Sequence, residues 1–388
     1  MKKALILGLI LVLALAAVGV AACGGETTEE TTATTAAPAT TATTAAPATT
    51  TTAAPDTTTT SAVAAQEPIT IKYASTMQET ESGGKIIQHF CDYIEDKTAG
   101  AVTFDIFFGG TLGNPMEELG LVSSGSVDMI SFGHPPYGDQ VPLLNFPMWA
   151  PPDAQTAVDY FNYLAFENPD TSKLIQEEAA KNNIIYLGFT SGGGNVFISK
   201  EPFTKLSDLV GKKFGAGGSI PAFEALGYSI VQTFPPDTYE NLSRGVIDAT
   251  QMGFVPTVNL KWYEIAKYYM WDGTYAAGNA FSVNLDTWAK LTPETQQIFK
   301  DAAKDSEAFS LELDAADTEA NLKVLADAGV TVGTLSAEDQ AAWWKNLFTA
   351  SAADCMTRAE KLGITDNMTT VLKAAAEFTN VEWTPPAK

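Results

Sequence analysis

Regular alternation of apolar and polar residues begins at Ile69. Ile69, Ile71 and Tyr73 alternate with Thr70 and Lys72, the period-two pattern of a half-buried strand. After a polar loop, Ile86, Ile87, Phe90 and Ile94 recur at helical spacing. Residues 102–107 read as a second strand, 109–113 as a glycine turn, 116–123 as a helix and 127–132 as a third strand. Strand, helix, strand, helix, strand at this spacing predicts a parallel sheet with crossover helices. Strands are also predicted over 184–189 and 195–199, on either side of Gly192, Gly193 and Gly194, which together read as a domain crossing. The same grammar then repeats: a segment over 206–214 leads to a glycine loop, a helix over 221–226, a strand over 229–233, a helix over 239–244 and a strand over 246–250. A strand over 280–284 returns to the first sheet. Thr292 as cap, Pro293 at the first turn and Glu294 after it predict a helix running to Ala328, about 50 Å long and able to brace two domains.

Upstream of residue 66 this patterning is missing. Lys2 and Lys3 precede an apolar run over 5–18, and small residues lead to Cys23, which predicts a signal peptide over 1–22. The run is too short to span a membrane comfortably. A cysteine directly after the cut predicts lipid attachment at Cys23. Residues 23–65 are almost all Thr, Ala and Pro, with no apolar surface whose burial would offset backbone ordering, and read as a disordered tether. At about 3.1 Å per residue it reaches on the order of 130 Å when extended. The remaining residues, 66–388, suffice for two domains. A net charge of −23 argues against nucleic acid or an anionic membrane surface as partner.

Candidate chemistry is sparse. Of the two histidines, His89 lies mid-helix and His134 beside two prolines; His134 with Ser131 is the one conceivable hydrolase pair, and no Gly-x-Ser-x-Gly elbow supports it. No cluster has zinc-ligand spacing and no glycine run continues as a phosphate loop, so neither cofactor nor metal is expected. Cys91 and Cys355 would share an oxidising compartment where a pair can bridge, but Cys91 falls on the apolar helix face, which favours two buried thiols.

The order of residues 109–119 (Gly-Gly-Thr-Leu-Gly-Asn-Pro-Met-Glu-Glu-Leu), 209–214, 245–250 (Gly-Val-Ile-Asp-Ala-Thr) and 266–269 resembles the solute-binding receptors of tripartite ATP-independent periplasmic (TRAP) transporters. The likeness covers residues 69 to about 328, and 247–269 is most similar to the branch that binds 2-oxo acids and related small carboxylates. It implies an α/β clamshell of two lobes with mostly parallel sheets and the long helix bracing both. Lobe I is expected over 66–193 plus 279–320 and lobe II over 194–278 plus 321–388. The implied function is delivery of a small molecule to membrane permease subunits, without catalysis. The implied location is extracytoplasmic, lipid-anchored on the outer face of the cell membrane or periplasmic. A receptor for an ATP-driven importer, a ligand sensor and a surface hydrolase are the alternatives.

Pockets of open α/β sheets form beyond the carboxyl ends of strands. The expected ligand loops therefore contain Thr76, Asn114, His134, Tyr137, Asn195, Gly215, Gln251 and Phe254, with Trp149 and Tyr275 as further aromatic walls. The resemblance implies an arginine for the ligand carboxylate where this chain has Gly215, a second arginine where it has Asn195, and metal-holding carboxylates where it has Gln251 and Ala276. Lys200, Lys212 or Lys213 would have to replace those charges, or else remain on the surface. The expectation is a neutral or weakly anionic solute with an apolar or aromatic body, held by amides and by backbone N–H groups of the glycine loop at 215–218. Replacing Cys23 by serine is expected to leave solute binding by the isolated folded part intact and to impair uptake by cells, as a paired binding and uptake assay would measure.

Overall fold

The computed structural model describes residues 65–133, 137–145, 149–217, 220–233 and 235–385. The signal peptide, Cys23 and nearly all of the tether lie outside the described residues, as do His134 and the Trp149 side chain. β1 (Ile69–Ala74), α1 (Ser82–Lys97), β2 (Val102–Phe107), α2 (Glu118–Ser123) and β3 (Met129–Phe132) form the first α/β unit. β1 pairs in parallel with β2 along its whole length, from Ile69 opposite Val102 to Ala74 opposite Phe107, and with β3 on its other side. α1 buries Ile86, Ile87, Phe90, Cys91 and Ile94 as one stripe. It stops where Ala99 and Gly100 take positive φ. Cys91 and Cys355 are both buried and free, Cys91 in the core under α1 and Cys355 in a different core cluster.

β4 (Trp149–Ala150), α3 (Ala154–Asn162) and α4 (Ser172–Lys181) follow, α3 capped by the Asp153 carboxylate accepting from the Thr156 N–H. The chain then enters β5 (Ile184–Ser199), a single strand where the sequence pattern predicts two. The glycines between them stay in the ladder, because their missing side chains permit the register shifts recorded near Gly188, Gly193 and Gly194. The second unit comprises β6 (Lys213–Ala216), α5 (Ile220–Ala225), β7 (Ser229–Gln232), α6 (Pro235–Ser243), β8 (Ala249–Gly253) and α7 (Phe254–Asn259), with β6 parallel to β7 and β8.

β9 (Tyr268–Asn284) returns antiparallel along all of β5, from Tyr268 opposite Ser199 to Asn284 opposite Ile184. The two units are thereby the ends of one sheet of order β2-β1-β3-β9-β5-β8-β6-β7, flanked at β9 by β4 and by β10 (Thr331–Thr334). After α8 (Leu285–Trp288), α9 (Pro293–Asp327) runs 35 residues from its Thr292 cap and packs on α1, β5 and α7, so it touches both units as predicted. α10 (Ala337–Leu362) packs on α5, and α11 (Thr365–Phe378) on the short turns Pro142–Leu144 and Tyr163–Glu167 of the first unit. Trp343 of α10 is fully buried, its ring stacked on Phe223 at 5.1 Å and edge-on to Phe197 at 5.2 Å. No helix among the described residues is long and apolar enough to cross a membrane.

Glu178 of α4 is 7% exposed and accepts the Leu143 N–H at 3.0 Å. Burial pushes its carboxyl up to about 8, which that hydrogen bond and Lys181 only partly offset. The unfolded chain releases this proton near pH 4.5 and the folded chain near pH 8, so the folded state binds more protons in between and loses stability as pH rises through that window. Melting temperatures are expected to fall from pH 5 to pH 8, and Glu178→Gln is expected to flatten the slope. Trp343→Ala should cost about 3–5 kcal/mol in urea unfolding.

Candidate functional site

The carboxyl ends of β1, β2 and β3 face those of β6 and β8 across the β5/β9 crossing, and the loops there carry most of the predicted site residues. On the first unit they assemble around Glu118, which is 4% exposed at the start of α2. The Thr76 N–H donates to Glu118 Oε1 at 2.9 Å. Burial lifts this carboxyl to about 7, with hydrogen bonds from the Thr76 backbone and hydroxyl opposing the rise. Asn114 starts the same turn: its N–H donates to Glu117 Oε2 at 2.9 Å and its Oδ1 accepts from the Met116 N–H at 2.8 Å. Tyr137 is buried, and its hydroxyl donates to the Pro115 carbonyl and accepts from the Leu119 N–H at 3.2 Å. It braces this loop, and with Leu112 and Met116 it lines an open hollow of about 510 Å³ beside α2.

At the crossing a second network forms around Asp272, which has no exposure. Its carboxylate accepts from Gln251 Nε2, the Thr274 N–H and the Thr274 hydroxyl, each at 2.8 Å. The Asn195 amide donates to that hydroxyl at 3.1 Å. The Trp343 indole approaches the same carboxylate, though its N–H lacks full hydrogen-bond geometry. Burial pushes Asp272 up to about 6, and these donors oppose it. Asn195 and Gln251, predicted as ligand amides, thus spend their donors inside the protein at 2% and 6% exposure. The sequence reading missed Asp272; an acid directly after the largely aromatic stretch Tyr268, Tyr269, Met270, Trp271 was the available signal, obscured because Gly273 suggests a loop.

Beside this network stands an aromatic wall. Phe254, 1% exposed, packs on Trp271 with ring centroids 4.6 Å apart. Trp271 and Tyr275 lie on the bare backbone of Gly194, where an added Cβ would sit 2.5 Å and 3.1 Å from their rings. Gly193, at φ +80°, faces Asp314 of α9, whose Oδ2 accepts from the Ser191 hydroxyl at 2.7 Å. Burial raises the Asp314 carboxyl, with Asp317 adding to the rise. The half-buried Tyr275 hydroxyl is raised by burial first and then by the charges of Asp153, Asp272 and Asp314.

Gly215 has no room for a side chain: a Cβ there would meet Ile247 Cδ1 at 2.7 Å and Thr233 Cγ2 at 2.8 Å. The lysines weighed as substitutes turn elsewhere. Lys200 contacts Asp248 at 3.6 Å and the Leu242 carbonyl at 3.3 Å, Lys212 pairs with Glu201, and Lys213 bonds the Gly245 carbonyl. Among the described residues no three His, Cys, Asp or Glu side chains group as a metal site.

A family model described as bacterial extracellular solute-binding protein, family 7, matches residues 73–353. The chain is similar to the uncharacterized protein YiiZ of Salmonella typhimurium, 28% identical over 227 residues that cover 56% of this chain and 66% of that protein. Among solved structures it is similar to a TRAP periplasmic solute-binding protein from Sulfitobacter sp. NAS-14.1 with bound β-D-galacturonate, at 20% identity and a TM-score of 0.63, over 81% of this chain and 100% of that one. A TRAP periplasmic solute-binding protein from Desulfovibrio salexigens with bound orotic acid matches at 19% identity and a TM-score of 0.66, over 80% of this chain and 99% of that one. At these identities the structures establish the fold, the two-lobed α/β clamshell of periplasmic solute-binding proteins. With the family model spanning most of the folded part, the chain belongs to the bacterial extracellular solute-binding proteins of family 7.

Proposed function

We propose that the chain is a lipid-anchored receptor that captures a small solute between its lobes and hands it to the permease subunits of a TRAP-type transporter, without chemistry of its own. Lobe I is assigned to residues 66–193 plus 279–320 and lobe II to 194–278 plus 321–388, with the packing of α11 on Pro142–Leu144 making the C-terminal helices a strap across both. Cys23 and the tether keep the receptor near its permease, which raises effective concentration without a new contact.

The solute is held through an apolar or aromatic body rather than through a carboxylate. The observation that carries this is the filling of the space beside Gly215 by Ile247 and Thr233. A planar guanidinium making two parallel bonds to a carboxylate has no place to stand there. The relatives' galacturonate and orotic acid share a ring as well as an acid group, and this chain keeps groups suited to the ring: Trp271, Tyr275 and Phe254. The likeness of 247–269 to the 2-oxo acid branch extends to the backbone and not to its charged anchors. Thr76, Asn114, Tyr275 and the loop after Gly215 are assigned to the solute, with Asn195 and Gln251 as the wall behind.

In a thermal-shift screen, neutral and aromatic solutes are expected to raise the melting temperature more than dicarboxylates, 2-oxo acids or galacturonate; equal or stronger shifts from the acids would sink this reading. Gly215→Arg is expected to destabilise by about 1–3 kcal/mol through overpacking, with no gained affinity for galacturonate. A bound solute should also make the solution scattering profile more compact, because closure follows filling of the cleft.

A further inference from the structure

β5 has β9 beside it along its whole length, but on its other side β8 pairs with it only from Asn195 onward. Among the described residues no strand covers that side over 184–194. A buried stretch without a neighbour strand leaves backbone N–H groups that must find partners elsewhere. Three of them find side chains. The Phe189 N–H donates to Asn162 Oδ1 at 3.2 Å, the Ser191 N–H to Ser310 Oγ at 2.9 Å and the Gly193 N–H to Ser191 Oγ at 3.3 Å.

Each of these acceptors belongs to α9 or is held by it. Asn162 Nδ2 donates to Glu307 Oε2 at 2.9 Å, Ser310 is itself on the helix, and the Ser191 hydroxyl donates to Asp314 Oδ2 at 2.7 Å. Glu307, Ser310 and Asp314 stand at i, i+3 and i+7, the spacing that lines side chains up along one helix face. One turn earlier Ala303 comes close to the bare Gly188, where an added Cβ would sit 3.2 Å from the alanine methyl. Glu307 and Ser310 are buried, so water does not compete for these bonds. The order along β5 is therefore regular: α9 and α3 fasten it up to Ser191, β8 fastens it from Asn195, and Gly192, Gly193 and Gly194 lie between.

We infer that α9 stands in for the strand that β5 lacks before the crossing, and that the Ser191–Asp314 pair is a latch that fixes the angle between the two units. Ser191 both receives the Gly193 N–H and donates to Asp314, so the first residue of the pivot is oriented from the helix. Since α9 also packs on α7 of the second unit, holding Gly193 to the helix holds one unit to the other. A latched hinge limits the free receptor to few angles, which leaves less ordering to be done when a solute fills the cleft. The inference needs only the two-lobed fold, so it stands or falls separately from the reading of the solute.

The test uses the full-length chain without solute. Spin labels at the exposed Asp96→Cys in the first unit and Asp237→Cys in the second report the interlobe distance by double electron–electron resonance, with Cys23→Ser and with Cys91 and Cys355 buried. Ser191→Ala and Asp314→Ala are each expected to broaden the distance distribution, and the double variant to broaden it no further than either alone. Asp314→Asn keeps an acceptor for the Ser191 hydroxyl and is expected to match the parent. Amide exchange over 189–193 is expected to be as slow in the parent as over 196–199, and about 10-fold faster in Asp314→Ala. Unchanged distributions in both alanine variants overturn the inference, as does broadening by Asp314→Asn equal to that of Asp314→Ala. If an alanine variant fails to fold, exchange in the parent decides: unprotected amides over 189–193 overturn the inference, and protected ones with a parent-like Asp314→Asn support it.

Discussion

The antiparallel pairing of β5 with β9 is the constraint on which the rest of the structure depends. Both strands run from the first α/β unit into the second, so the units share a ladder and can move only by bending or twisting it. The crossing is where the ladder is weakest, since register shifts cluster around Gly188, Gly193 and Gly194. Those glycines also let other groups reach the backbone: Trp271 and Tyr275 onto Gly194, and Asp314 of α9 against Gly193. The proposed ligand wall is therefore built from the hinge itself. Occupying that wall and setting the angle between the units become one event, which is the coupling a clamshell receptor needs.

The same crossing concentrates unneutralised carboxylates. Burying an ionised acid without a cation costs free energy even when hydrogen bonds surround it. The fold reduces that cost at Asp272 with three donors drawn from β8 and β9, and at Glu118 with the Thr76 backbone and hydroxyl. At Asp314 a single donor, the Ser191 hydroxyl, serves the same end. Natural proteins break their own packing rules chiefly where they bind or react, and the crossing is the place in this chain where the rules are most strained. Glu178 shows the contrasting case: a buried acid far from the crossing that ties α4 to the Pro142–Leu144 turn and has no surface to offer a solute.

Local patterns were legible where a segment's neighbours did not matter. The βαβαβ order of the first unit, its parallel pairing and the Thr292 cap of α9 follow from alternation, helical spacing and capping chemistry that each segment carries within itself. Legibility failed at β5 and β9. Three consecutive glycines read as a break, and Asp272-Gly273-Thr274 reads as a turn. In the structure both lie inside continuous strands, Gly193 and Gly194 pairing with Ala276 and Tyr275 and the Asp272-Gly273-Thr274 stretch bulging where the register shifts, and no feature within either segment records that pairing.

The candidate site divides along the same line. From the sequence alone came the loops at the strand ends, the glycine in place of an arginine and the aromatic content, because composition and order survive without a fold. Only the tertiary structure decided that Asn195, Gln251 and Phe254 are buried, that Ile247 and Thr233 fill the space beside Gly215, and that Asp314 reaches Gly193 from a helix more than a hundred residues later in the chain. Burial and juxtaposition are properties of pairs of distant segments, set by sheet register and helix packing. Periodicity and capping are properties of one segment, and only these can be read along a line.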